Sequence, residues 1–324
     1  MRAIGSTDRE DTLKTIAVEE HFKNGTVESV NFYGPGVNER MYDLGTGRLA
    51  EMDAAGIDMQ VLQYAGVGIQ MMDREKGNAV AKESNDALAE VIRQHPGRYA
   101  GLAQMSLKDP EWSAKELDRS VKTLGLKGAV WSGTLNGTFL DDPSFDSFLS
   151  AAEKLNVPIY IHPGIMTPEK KEQNFGNLQP AVSQVLSMAA WGWHAEVGVE
   201  CIRMVAAGVF DKHPDLKIVI GHLGEFLPIA VGRIDQMLAP VATYLKRRPI
   251  EYFQNNFYIA IAGYYDFAAF QCAVSTFGMD RIMFGADYPF FSNMAGRKFL
   301  ESLPICKEDL EKISYKNAER IFKL

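Results

Sequence analysis

The chain has 324 residues, with 34 Lys and Arg against 41 Asp and Glu. The resulting charge of −7 argues against a nucleic-acid partner, because neutralising phosphates takes a basic surface. With 46% hydrophobic and 23% charged residues the composition is that of a globular domain, and no apolar run reaches the roughly 18 residues that would cross a bilayer.

Residues 1–14 are polar and mixed in charge and read as a tail, neither a signal peptide nor an amphipathic transit helix. From Thr15 onward, short apolar runs alternate with longer amphipathic stretches. The runs are Thr15–Glu19, Met59–Tyr64, Tyr99–Met105, Gly128–Trp131, Val157–Ile161, Lys217–Gly221, Phe257–Ile261 and Arg281–Gly285. They are rich in Val, Ile, Leu or aromatics and bounded by Gly, Pro, Asp or His, as strands buried on both faces are. Helical patterns lie between most of them, at Gly47–Ala55, Gly77–His95, Trp112–Leu124, Pro143–Leu155, Ala181–Phe210, Phe267–Phe277 and Lys307–Phe322. Gly125 and the His95-Pro96-Gly97 turn stop two of these helices.

Eight strands alternating with helices predict an α/β protein whose parallel sheet closes into a (β/α)8 TIM barrel, a single domain over 15–324. An open doubly wound sheet is the alternative. Against it, no GxGxxG follows the first strand, and Gly34-Pro35-Gly36 has no strand before it. Two stretches, 23–44 and 164–179, read as loop insertions over the barrel mouth, where such barrels place substrate-binding parts. Three scattered cysteines, Cys201, Cys272 and Cys306, form no CxxC pair and no disulfide framework, so a reducing compartment, the cytoplasm, is expected.

Reactive side chains of parallel barrels collect where strands end. The first run ends in Glu19-Glu20-His21, the fifth in His162-Pro163, the sixth in His222-Leu223-Gly224-Glu225 and the eighth in Asp287-Tyr288-Pro289. Three of the six histidines stand at such ends; His95 and His213 precede Pro in helix-ending turns, and His194 lies in a helical pattern. Side chains two apart on a strand share a face, so Glu19 and His21 point together and Glu20 points away. With His162 and Asp287 they form a two-nitrogen, two-carboxylate set suited to one Zn²⁺ or Mn²⁺ with a position left open. No thiolate is offered, which argues against a structural zinc. Each residue alone has an ordinary explanation as a hydrogen-bonded strand end or a turn. The four together at strand ends point to chemistry.

The same residues carry a resemblance. Ala17-Val18-Glu19-Glu20-His21-Phe22, Ile161-His162-Pro163, Gly221-His222-Leu223-Gly224-Glu225 and Gly285-Ala286-Asp287-Tyr288-Pro289 are similar to the signatures of the metal-dependent amidohydrolase superfamily. The branch they resemble is that of the aminocarboxymuconate semialdehyde decarboxylases, and within it the gamma-resorcylate (2,6-dihydroxybenzoate) decarboxylases, which open with Glu where hydrolytic branches open with His-x-His. Met52-Asp53-Ala54-Ala55-Gly56-Ile57, Gly208–Pro214 and Asn317–Leu324 agree, so the likeness runs from about Thr15 to the end. It implies Glu19, His21, His162 and Asp287 as metal ligands, His222 as the catalytic histidine, Glu225 as its orienting carboxylate and Arg233 as a holder of the substrate carboxylate. Some positions depart from the pattern: Ile261-Ala262-Gly263-Tyr264-Tyr265 replaces Thr-Ser-Gly-Asn-Phe, Gly164 stands where Arg or Glu is common, and Trp131-Ser132-Gly133 replaces Val-Asn-Gly.

The implied reaction is non-oxidative decarboxylation of a small hydroxylated aromatic acid. No thiamine, pyridoxal or flavin motif is present, so no organic cofactor is expected. Asp287, at the edge of the metal shell, is the expected proton donor to the ring carbon. Phe22, Tyr64, Trp131, Trp191 and Phe290 are the aromatics expected to face a flat substrate. Two rival readings use the same residues: a metal-dependent hydrolase of a lactone or related carbonyl, and a barrel that has lost its metal and serves as a scaffold. A homodimer or homotetramer is expected, in part from the resemblance and in part because the 23–44 stretch needs cover.

Overall fold

The computed structural model describes residues 13–24, 35–65, 69, 72–106, 108–134 and 137–324. Strand β1 (Ile16–Phe22) leads through α1 (Pro35–Tyr42) and α2 (Thr46–Ala55) to β2 (Met59–Tyr64). Helix α3 (Arg74–Gln94) precedes β3 (Tyr99–Gly101) and β4 (Ala103–Gln104), and α4 (Pro110–Lys122) precedes β5 (Ala129–Ser132). Next come α5 (Asp146–Leu155), β6 (Ile159–His162), α6 (Pro168–Phe175), α7 (Pro180–Ser187), α8 (Gly192–Ala206), the short α9 (Val209–Lys212) and β7 (Ile218–Ile220). The remainder is α10 (Leu227–Leu238), α11 (Pro249–Asn256), β8 (Phe257–Ala260), α12 (Phe267–Phe277), β9 (Ile282–Met283), α13 (Asn293–Ser302), α14 (Lys307–Glu311) and α15 (Asn317–Phe322).

Neighbouring strands all pair in parallel, β1 to β3 in one ladder and β4 to β9 in the other. Leu102 joins the ladders: its N–H donates to Leu62 O at 2.9 Å, and the next N–H, of Ala103, donates to Gly128 O at 2.8 Å. The expected strand Tyr99–Met105 is thus one barrel position with a single-residue break. Val18 N–H, donating to Phe284 O at 3.0 Å, closes the ring. Gly285 permits that approach, since a Cβ there would stand 2.2 Å from Val18 O. The expected (β/α)8 barrel is the fold, and the open sheet is excluded by the closure.

Inside the barrel Val18, Val61, Leu102, Val130, Tyr160 and Val219 pack together, and Ala318, Ile321 and Phe322 of α15 plug the end where the strands begin. A larger layer between strands and helices includes Phe22, Tyr64, Trp131, Phe145 and Phe148. Two expectations need correction. The stretch 164–179 is not simply a loop, because Thr167 caps α6 by accepting Lys170 N–H at 3.4 Å and Pro168 starts it. The expected helix Ala181–Phe210 is broken into α7, α8 and α9, with a turn at 188–191. The tail expected over 1–14 lies outside the described residues up to residue 12, as do 25–34 of the 23–44 insertion, whose remainder contains α1. Among the described residues no helix is long and apolar enough to cross a membrane.

Candidate active site

The first expected ligand pair is placed by a bulge. Val18 pairs with Val61 and Glu20 with Leu62, leaving Glu19 as an extra residue at φ 71°. Val18 faces the barrel interior, so an unbroken alternation would have turned Glu20 inward and Glu19 and His21 out. The extra residue reverses that, and Glu19 and His21 both face the mouth. Gly221 on the next strand end but two leaves room for the carboxylate, since a Cβ there would stand 2.1 Å from Glu19 Oε2. From below, the Tyr160 hydroxyl donates to that same oxygen. Tyr160 lies two residues before His162 on β6, so the i, i+2 rule that found the ligands also reaches it, though it was not singled out.

Four expected ligands converge here. Glu19 Oε1 is 3.6 Å from His162 Nε2, and His21 Nε2 is 3.1 Å from Asp287 Oδ1. Ligand atoms of Glu19, His21 and His162 all lie within 4.8 Å of one another. His162 Nδ1 meets Pro163 O at 2.8 Å; a carbonyl only accepts, so the proton is on Nδ1 and the Nε2 lone pair faces the cluster. Glu19 Oε1 and His21 Nδ1 are buried without a hydrogen-bond partner, and His21 Nε2, though 3.1 Å from Asp287 Oδ1, is not aligned for a hydrogen bond. Buried polar atoms are seldom left so, and two imidazoles with two carboxylates around such atoms fit a divalent cation. The electrostatics agree. Burial drives the Glu19 carboxyl well above its ordinary value, against the pull of His222. Burial, with His21 and His222, holds His162 at about 3, in the neutral form a metal requires.

His222 and Asp287 stand at the rim of this cluster, Nε2 to Oδ2 at 3.9 Å. Burial alone would lower His222, but the Glu225 and Glu19 carboxylates outweigh it and hold it well above its ordinary value. Burial would raise Asp287, and His21 and His222 outweigh it in the opposite direction. His222 Nδ1 donates to Glu225 Oε1 at 2.7 Å, as the expected orienting role requires. The sequence reading missed His194. It meets Glu225 Oε2 at 2.6 Å through Nδ1, and its ring lies 4.6 Å from that of His222. No sequence signal marked it, because it sits near the start of α8 inside what reads as one long helix.

Glu20 points away from the mouth, as expected, but it is not idle. Its carboxylate accepts Ala286 N–H at 2.7 Å and Tyr288 N–H at 3.2 Å, the two amides flanking Asp287. Gln60 donates to it at 3.1 Å, and Arg48 bonds both Gln60 and His21 O. Burial pushes Glu20 up to about 8. The clamp holds Asp287 at φ 57°, a backbone conformation that non-glycine residues seldom adopt.

Above the cluster opens a cavity of about 470 Å³, lined by His21, His162, His194, His222 and Asp287 on its polar side. Ala65, Met188, Ala189, Ala190, Trp193, Phe226, Gly263, Tyr264, Phe290 and Phe291 make the rest. Phe290 is therefore where it was expected, 5.3 Å from the His21 ring. Phe22, Tyr64 and Trp131 are not among the lining residues: Phe22 and Tyr64 pack on each other at 5.6 Å, and Trp131 packs between Phe145 and Phe148 in the outer layer. Outward-facing strand positions bury aromatics against helices, and sequence distance from a ligand does not reveal the face. Trp191 is half exposed and rests on Phe226. Arg233 lies on the exposed side of α10, bonded to Gln236, so within one chain it is not placed at the cavity. The wall residues Met188, Ala189 and Ala190 come from the turn between α7 and α8 that the sequence pattern concealed.

Comparison with known proteins agrees with this geometry. The amidohydrolase family profile matches residues 34–324. The gamma-resorcylate decarboxylase of a Polaromonas species is 32% identical over 95% of this chain and 98% of its own length. Among solved structures, a 2,6-dihydroxybenzoate decarboxylase complexed with 2,6-dihydroxybenzoate superposes with a TM-score of 0.89 at 33% identity, covering 96% of this chain and 100% of that one. A dihydroxybenzoic acid decarboxylase from Polaromonas, with bound manganese and the inhibitor 2-nitroresorcinol, gives 0.88 at 32% identity, covering 96% of this chain and 97% of that one.

Proposed function

The chain belongs to the amidohydrolase family, and from that premise we propose that it is a metal-dependent, non-oxidative decarboxylase of a hydroxylated aromatic acid, a carbon–carbon lyase. The observation that carries this is the set of partnerless ligand atoms at the floor of a largely apolar cavity, beside a His222–Asp287 pair. Among the described residues lining the cavity there is no Lys or Arg. A substrate carboxylate entering there would find its counter-charge in the divalent ion held by the cluster and in the His222 imidazolium, while a flat ring meets Phe226, Phe290 and Phe291.

Glu19, His21, His162 and Asp287 would hold one divalent ion, Zn²⁺ or Mn²⁺, which would supply Lewis acidity and a fixed anchor for the acid. The chain's own residues handle the proton. An ortho or para hydroxyl pushes electron density onto the ring carbon, which takes a proton and then releases CO₂, the electrons of the broken carbon–carbon bond restoring the aromatic ring. Asp287 delivers that proton and draws it from His222, whose Nε2 lies 3.9 Å away. Glu225 fixes the His222 ring through Nδ1, so that Nε2 is the nitrogen facing Asp287.

Protein purified without chelator is expected to hold one metal per chain, to lose CO₂ release when stripped, and to regain it with Mn²⁺ or Zn²⁺. In D₂O one deuterium is expected at the carbon that lost its carboxyl. A panel of ortho- and para-hydroxybenzoates that yields no CO₂ from the metal-loaded protein sinks the proposal, as does solvent oxygen entering the product. Residues 15–324 act as one domain in this reading. Apolar side chains exposed on and after α10 (Ile229, Met237, Val241, Tyr244) and on α7 (Val182, Val185) support a homodimer or homotetramer. Sedimentation showing only a 36.0 kDa species at micromolar concentration would refute it. Three unpaired cysteines support a cytoplasmic location.

A further inference from the structure

His194 has a hydrogen-bond geometry that dictates its proton content. Its Nε2 lies 2.7 Å from Ala189 O, and a carbonyl oxygen only accepts, so Nε2 carries a proton. Its Nδ1 lies 2.6 Å from Glu225 Oε2. A neutral imidazole protonated at Nε2 would set a lone pair against a carboxylate lone pair at that distance, which is repulsive. One further proton must therefore lie between them. The other oxygen of Glu225 accepts from His222 Nδ1 at 2.7 Å. Glu225 is buried, and its carboxyl is held below the ordinary range: burial opposes this, but His222 and His194 outweigh it. Of the two groups the imidazole is by nature the more basic, so the shared proton sits on His194 and Glu225 meets it as a carboxylate.

We infer that His194 is a positioning residue for the proposed decarboxylation: an imidazolium bound to Ala189 and Glu225 that sets the direction and the charge with which Glu225 meets His222. This rests on the reaction assigned above. The arrangement has a direct geometric consequence. With Oε2 occupied by His194, Oε1 is the oxygen left for His222 Nδ1, which keeps Nε2 turned to Asp287 and Glu19 at 3.9 and 3.8 Å. The His194 proton itself is not consumed. Because Ala189 is part of the cavity wall, the turn between α7 and α8 and the proton-handling pair are tied by a single side chain.

The test uses the full chain loaded with zinc. Nitrogen-15 NMR of histidine-labelled protein at neutral pH is expected to show both ring nitrogens of His194 protonated, and Glu225→Gln is expected to return His194 to a neutral ring. In His194→Gln, which can offer Glu225 an amide N–H but no charge, kcat is expected to fall roughly 10- to 100-fold, as for other residues that orient a reacting group. KM for the aromatic acid and zinc content should stay at wild-type values. A His194 Nδ1 without a proton overturns the inference; so does an unchanged kcat, or a variant whose zinc content falls. If the wild-type chain decarboxylates nothing, the assigned reaction fails, while the NMR result still decides whether His194 holds the proton.

Discussion

At the amino end of the barrel, Ala318, Ile321 and Phe322 of α15 lie against Ile16, Val61 and the other inward residues, an apolar plug with no charge to satisfy. At the carboxyl end, Glu19, His222, Leu223, Glu225, Phe226, Ala262 and Asp287 all adopt positive φ, and Glu19 Oε1 and the ring nitrogens of His21 make no hydrogen bond. The other positive-φ non-glycine positions among the described residues, Asn156, Asn177 and Lys323, stand at or just past helix ends, where that conformation is common. A non-glycine residue held in such a region costs about 1–3 kcal/mol unless its side chain compensates. The comparison teaches that, among the described residues, positive-φ strain away from helix C-termini is confined to the end that carries the candidate site, while the opposite end supplies packing that holds the ring closed. Stability and function should therefore separate on mutation.

The largest expected effect is at the mouth. Asp287→Asn should lower kcat by about 10²–10⁴-fold, since an amide keeps the shape but delivers no proton at useful cost. Its urea midpoint should change little, and near-normal turnover would remove Asp287 from the reaction. At the plug, Phe322→Ala should cost about 3–5 kcal/mol in urea unfolding through the cavity it leaves. The folded fraction should keep wild-type kcat; a parallel fall in both would show that the two ends are not separable.

A buried carboxyl away from both ends sharpens the contrast. Burial pushes Glu200 up to about 8, with Glu196 and Asp141 adding to it and Leu140 N–H opposing. Its folded value lies above the ordinary 4.5, so the folded state binds the proton more tightly. Stability from this group is accordingly lost as pH rises from 4.5 to about 8, and is level above. Glu200→Gln should flatten that slope and be more stable than wild type at pH 8.5, by on the order of a few kcal/mol, with little difference near pH 4.5. Equal slopes in the two proteins would show that Glu200 does not titrate there. The smallest effect is expected at Phe22→Leu, about 1 kcal/mol of stability with KM unchanged, because Phe22 packs on Tyr64 outside the ring. A raised KM would return Phe22 to the substrate site.

Much of this architecture was legible in the sequence. Strands buried on both faces need continuous apolar runs, so all eight barrel positions could be counted, and candidate ligands at strand ends could be named because that is where a parallel barrel opens. Helices with weak periodicity were harder. The α7–α8 break hides in apolar sequence on both sides, so Met188, Ala189 and His194 could not be placed at the cavity. The aromatics Phe22, Tyr64 and Trp131 were misassigned for a related reason: they share strands with site residues but face the other layer.

Glu19, Glu20 and His21 mark the division most clearly. The sequence determined which chemical groups stand at the strand ends, because residue identity and the two-residue period are local properties. It could not determine their direction, because a bulge resets the period, and a bulge at a positive φ persists only where its surroundings hold it. Tertiary structure supplied that hold, through the space over Gly221, the Tyr160 hydroxyl and the barrel closure at Gly285. It likewise decided that Glu20 clamps the amides beside Asp287 and that His194 meets Glu225. Those contacts join residues 266, 268 and 31 positions apart, and only packing brings such groups within hydrogen-bond reach.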